Sequence, residues 1–236
     1  MQYYLMPLES HPDYGYGMMG SIYKSASDDI TKVENYRKDW YSSLPVNYLR
    51  RHSIELFLKS GIILFHKKFK INFENDSCNS EPKVKLKNGK WELIRKTHNI
   101  GLLYQRMNEL VDKHIDYLNK NTITVWKFDD DFEKWINTIN GYDCVSDYFR
   151  YPITSDQHKD KRKSIFQENT MEGIQTEFSS GKKIMALIIE NSQGDVTSIY
   201  NHNSAKMDEL YLCLERASAE LDGFHTAVRV ELFKGF

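Results

Sequence analysis

Four side chains in this sequence are of the types that, brought together, could move a proton and hold a phosphate: His52, Glu55, His98 and Arg150. His98 stands just before an apolar-periodic run. The positive end of a helix starting there favours neutral imidazole, which can act as a general base. Arg150 lies in Asp147-Tyr-Phe-Arg-Tyr-Pro152. A guanidinium there offers a fork of donors to phosphate, and the neighbouring Tyr151 ring could stack on a base. His52 and Glu55 sit on a long apolar segment. At 100° per residue, Tyr48, His52, Glu55, Lys59 and His66 fall within a sector of roughly 60°. A polar strip that narrow either lines a cleft or is a solvated edge, with Glu55 and Lys59 an ordinary i,i+4 pair. The plainer roles are a cap or packing for His98 and a loop tie for Arg150. His114 falls on an apolar stripe and reads as a core or interface histidine. The runs His66-Lys-Lys-Phe-Lys70 and Lys159-Asp-Lys-Arg-Lys163 could touch phosphates or simply be solvated. His52 and Glu55 lack a third ligand at defined spacing, so no metal or cofactor is expected. There is no P-loop, dinucleotide fingerprint or G-x-S-x-G elbow.

The elements that must position these residues are mostly helices. Residues 1–16 read as an arm, and Met18 to Tyr41 as a helix with Ile22, Val33 and Tyr36 among its apolar positions. Residues 44–69 are apolar on almost every side, which predicts a central buried helix with Pro45 near its start. In 84–93, alternation on both sides of Asn88-Gly89 predicts a hairpin with a type I′ turn. Ile100, Leu103, Met107, Leu110, Val111 and Leu118 mark one helix from about Thr97. Phe132, Trp135, Ile136 and Ile139 mark another over 129–140, with Asp129, Asp130 and Asp131 at its positive end and Gly141 as its stop. Residues 154–165 read as a charged loop and 183–201 as a second hairpin. A last helix over 204–232 buries Met207, Leu210, Tyr211, Leu214, Ala217, Leu221 and Phe224. The fold class is mainly α: one helical domain over 1–236, with insertions at 70–95 and 154–201.

Composition narrows the function. Hydrophobic residues at 40% against 28% charged allow a packed core and argue against wholesale disorder. Lys+Arg is 32 and Asp+Glu 33, so no global field attracts a polyanion and nucleic-acid contact must come from local patches. Cys78, Cys144 and Cys213 are too few and too scattered for a disulfide framework or a CxxC zinc site. The first residues do not read as a secretory signal, and no stretch approaches the ~20 apolar residues of a membrane span. These features predict a soluble cytoplasmic protein with no membrane contact.

Four short pieces, in order, carry a resemblance. Arg50–Lys59, RRHSIELFLK, resembles the Arg-His-x-x-Glu helix of many bacterial HEPN proteins. Thr97-His-Asn-Ile-Gly-Leu-Leu resembles the H-[ND]-L-x-x-L start of their next bundle helix. Phe149-Arg-Tyr-Pro152 resembles their RYP element, and Met207–Gly223 their closing helix. The resemblance implies an antiparallel HEPN-like helical bundle, commonly dimeric, with small β-hairpin insertions. It also implies metal-independent attack of a ribose 2′-hydroxyl on the adjacent phosphate, assisted by an Arg and a His with four to six residues between them. That pair is absent. Arg106 and His114 have seven residues between them, as do Arg150 and His158, and the six-residue gap before His66 is preceded by Lys59. Two functions stand: an RNA-directed effector in bacterial defence or a toxin–antitoxin system, with a relocated site at His52, Glu55, His98 and Arg150, or a non-catalytic adaptor or nucleotide-binding subunit of such a complex.

Overall fold

A helix that is apolar all round has to be covered all round. In the computed structural model, which describes residues 2–33, 40–161, 163–164, 166–181, 183–202 and 205–235, this helix is α3 (Trp40–Lys68). Its Ile54, Phe57, Leu58, Ile62, Ile63 and Phe65 are buried. After a one-turn α1 (Gln2–Leu5), α2 (Tyr16–Lys32), α4 (Ile100–Lys113) and α9 (Ala205–Ala227) pack against it, and α6 (Phe132–Tyr142) packs against α4 and α9. The fold is mainly helical, at 58% helix, with two small antiparallel sheets. Among the described residues no helix is long and apolar enough to cross a membrane.

Several elements differ from expectation for local reasons. α3 begins at Trp40, so Pro45 lies inside the helix. In α2 the buried face is Gly17, Gly20, Ser21 and Ser27, while Ile22 and Val33 are exposed and Tyr36 lies outside the described residues. Small residues are needed because the neighbours come so close. A Cβ on Gly17 would stand 2.0 Å from Nε2 of His225 and one on Gly20 2.9 Å from the Phe57 ring. The helix expected from Thr97 to Leu118 breaks at His114, which stacks on Phe69 with ring centroids 3.7 Å apart; α5 (Ile115–Asn121) follows. Gly141 is inside α6 and does not stop it. The loop over 154–165 contains a short helix, α7 (Gln157–Lys161).

The first sheet is the expected hairpin, β1 (Lys83–Lys85) and β2 (Trp91–Leu93). Only Gly89 of its Asn-Gly pair has a positive φ, +82°, so the turn is a longer loop closed by Leu86 and Lys90 and not type I′. The second expected hairpin is β4 (Ala186–Glu190) with β5 (Val196–His202). It is part of a three-stranded sheet, because β3 (Phe166–Asn169) adds to the other side of β5; α8 (Met171–Ser179) links β3 to β4. The polar sequence of β3 has no apolar alternation to announce it, and its pairing rests on the backbone.

The termini are tied to the core through buried polar groups. Asp13 accepts hydrogen bonds from the amides of Gly15 and Gly17 and from Ser60 Oγ at 2.5 Å, and its Oδ2 lies 3.8 Å from Nε2 of His225. Arg50, also buried, donates to Glu215 at 3.0 Å and lies 4.6 Å from the centroid of the Tyr211 ring. His66 is closed under Phe73, its Nδ1–H donating to the Ile71 carbonyl at 2.9 Å and its Nε2 facing Arg106 at 3.4 Å.

That arrangement needs a neutral ring. Burial pushes the His66 pKa down to about 4, and burial outweighs the pull of Asp13 to bring His225 to about 4 as well. In an unfolded chain both would titrate near 6.5, so below that pH the unfolded state binds more protons and stability falls. His66 should remove about 2 kcal/mol by pH 5, before most carboxylates titrate, and His225 acts in the same direction. Urea unfolding between pH 7.5 and pH 5 should show this loss, and His66→Gln should reduce its slope; a flat profile would contradict the two neutral rings.

Candidate functional site

Arg51, Glu55 and Lys59 follow one another at i,i+4 on α3, one turn apart, on a helix that packing encloses. Their side chains are 0%, 2% and 3% exposed, so each charge must be answered inside the protein. Glu55 does this from the middle. Its Oε2 accepts from Arg51 Nη1 at 2.6 Å and its Oε1 from Lys59 Nζ at 2.7 Å. The second countercharge comes from Asp143, just beyond α6, whose Oδ2 lies 3.1 Å from Arg51 Nε. Arg51 Nη2 also donates to the carbonyls of His98, at 2.5 Å, and Asp143, at 3.2 Å. Two guanidinium and ammonium charges thus face two carboxylates.

This ladder places three of the four expected site residues. His98 lies in the stretch between β2 and α4, where Asn99 caps α4 by accepting from the Leu102 amide at 2.9 Å. Its backbone is held by Arg51, and its Nδ1 lies 3.0 Å from Glu55 Oε1. Burial would raise the Glu55 carboxyl, but the Arg51 and Lys59 cations, with His98 adding, hold it below the usual carboxylate range. Facing an ionised Glu55, Nδ1 of His98 is the donor of that hydrogen bond, and the side chain is 41% exposed. That is the arrangement of an imidazole oriented by a carboxylate and open to accept a proton.

Arg150 is held by the turn that follows α6 and lies near enough to His52 to act on it electrostatically. Asp143 Oδ1 accepts from the amides of Asp147 and Tyr148 at 2.8 and 3.1 Å, which shapes the turn leading to Arg150. Ser146 in that turn has a φ of +65°, and its hydroxyl accepts from Arg150 Nη2 at 2.8 Å. The guanidinium is otherwise exposed. Its charge acts on His52, whose pKa is lowered chiefly by burial, with Glu55 opposing and Arg51, Lys59 and Arg150 adding. His52 is half-buried between Tyr23, edge-on at 4.6 Å, and Tyr48, stacked at 5.9 Å. Glu55 and His98 therefore meet directly, and Arg150 and His52 feel each other electrostatically. Among the described residues no hydrogen bond joins His52 to the other three.

Several described residues of the remaining strip and basic runs serve structure. His66 is closed off under Phe73. Lys67 lies over the Tyr14 ring, Lys68 donates to the Leu232 carbonyl, and Lys163 is buried against Asp160 and the Tyr151 carbonyl. Arg51 and Asp143 escaped the sequence reading. Arg51 falls at the flank of the polar sector, and only its i,i+4 spacing to Glu55 and then Lys59 hints at a ladder; Asp143 has no local signal. Among the described residues no three His, Cys, Asp or Glu side chains cluster as metal ligands.

Comparison with protein-family models, with curated proteins and with solved structures gives no match in any of the three. The side chains themselves therefore carry the functional argument.

Removing the Glu55 charge should leave Arg51 and Lys59 answered only by Asp143. Glu55→Gln is expected to cost roughly 3–5 kcal/mol of unfolding free energy, whereas the half-exposed His98→Ala should stay near the small cost of a surface change. Chemical denaturation of the two variants checks this; a Glu55→Gln loss below about 1 kcal/mol would mean the ladder is dispensable.

Proposed function

We propose that the chain is a HEPN-like helical bundle that acts on RNA without a metal, with His98 as general base, Glu55 as the carboxylate that orients it, and Arg150 as the phosphate clamp. The observation that carries this reading is the half-exposed His98 imidazole held by a buried, ionised Glu55, with the Arg150 guanidinium near enough to act on the adjacent His52. His98 would take the proton of a ribose 2′-hydroxyl, the oxygen would attack the adjacent phosphorus, and the 5′-oxygen would leave with a proton from water. Arg150 would balance the charge that builds on the phosphoryl oxygens. His52, neutral between its two tyrosines, would line the approach and so is a weaker member of the set. The resemblance adds the setting: a cytoplasmic effector of bacterial defence or a toxin–antitoxin pair, working as a homodimer or with a protein partner.

A second reading has its own observation. The Arg and His that HEPN nucleases use have no counterpart at the required spacing, and the nearest pair is occupied, with Arg106 on His66 and Glu109 and His114 stacked on Phe69. A non-catalytic adaptor or nucleotide-binding subunit would leave His98 and Arg150 as parts of a binding surface.

The two readings separate by mutation. His98→Ala and Arg150→Ala should each reduce RNA cleavage, or toxicity in cells, by roughly 10²-fold or more while the melting temperature stays put. Activity that survives both substitutions would overturn the catalytic reading. Absence of cleavage in the unaltered protein, with nucleotide or protein binding that depends on Arg150, would favour the adaptor.

A further inference from the structure

Edge strands in stable proteins are shortened, charged or covered, because an open row of amides and carbonyls recruits another strand. β4 carries a charge only at its last residue, Glu190, and among the described residues nothing covers its edge. Its five residues, Ala-Leu-Ile-Ile-Glu, are all exposed, and among the described residues only β5 pairs with it. Leu187, Ile188 and Ile189 are 43–47% exposed, and Met185, Val196 and Phe178 add 55%, 45% and 74%. The opposite edge, β3, is polar and short.

The direction of the open groups follows from the pairing. His202 donates its amide to the Met185 carbonyl at 2.8 Å, so the backbones of Met185, Leu187 and Ile189 face β5. The alternation turns those of Ala186 and Ile188 toward the empty edge. We propose that this edge pairs antiparallel with the same edge of a second copy, centred on Leu187. In that register the outward peptides of Ala186 meet those of Ile188 in the partner, and Leu187 opposes its own copy at a non-hydrogen-bonded position. The facing side chains are apolar through the middle of the strand. The antiparallel direction also brings the Lys183 end of one strand to the Glu190 end of the other, whereas a parallel pair would align like ends. In this register Met185 and Ile189, on the same face as Leu187, sit opposite one another across the joint, so the apolar row continues from one copy into the next. This inference stands on residues outside the candidate site and does not depend on the functional reading.

The full chain should be a dimer by light scattering at high concentration. Leu187→Lys and Leu187→Glu should each be monomeric with an unchanged circular dichroism spectrum, since Leu187 is a surface residue. Mixing the two should restore the dimer, because position 187 meets itself. Leu187→Cys gives an independent check, since opposed residues at such a position lie within disulfide reach and mild oxidation should yield a covalent dimer that the unaltered chain does not form. A monomeric unaltered chain, a dimer that survives Leu187→Lys, or charge variants that fail to recombine would each overturn the proposal.

Discussion

Two cations and a carboxylate stacked one turn apart on an enclosed helix cannot be left to water. Arg51, Glu55 and Lys59 carry one positive charge more than they cancel, and Asp143 has to come from another element to balance it. Satisfying that demand fixes much else. The Arg51 guanidinium holds the carbonyls of His98 and Asp143, which anchors the entry to α4 and the exit from α6 on the same side of α3. Asp143 then organises the turn that presents Arg150. The candidate site is in this sense a by-product of neutralising α3: the groups that answer its charges bring His98 and Arg150 with them. Buried ion pairs are weak contributors to net stability but severe constraints on geometry, since a misplaced partner leaves a charge unpaired.

Much of this was legible before any coordinates, and the exceptions have physical causes. Apolar residues at three- and four-residue spacing mark α4, α6 and α9, because a helix must bury one stripe whatever it packs against. The turns at Asn88-Gly89 and Asn191–Asp195 announce their hairpins, since glycine supplies the positive φ each loop needs. The face of α2 was misread because it is buried through smallness. Gly17 and Gly20 let His225 and Phe57 approach, and a scale of hydrophobicity does not register that. β3 was invisible because backbone pairing alone recruits it. In the site, the meeting of Glu55 and His98 could be anticipated from the need of a polar strip for polar neighbours. Arg51 could not, because a second arginine beside Arg50 looks like surface charge until both are seen buried.

The residues that carry the HEPN resemblance also have structural work. Arg51, Glu55 and Lys59 form the ladder, Asn99 caps α4, and the turn before Arg150 hangs on Asp143. A sequence pattern of this kind marks a way of solving a packing problem, and chemistry can be added to it or left out. The half-exposed imidazole and the guanidinium therefore carry the functional case.

The pairing of Arg50 with Glu215 has a further consequence during synthesis. The two residues are 165 positions apart. At roughly 5–20 residues per second, the ribosome needs on the order of ten to thirty seconds to deliver the second after the first. Throughout that interval the flank of α3 that α9 will cover lacks its partner, and Arg50 has only the more distant Asp28, at 3.8 Å, to answer its charge. The central helix of the protein is therefore made early and finished late, so the nascent chain carries an uncovered apolar flank while its covering helix is still being made.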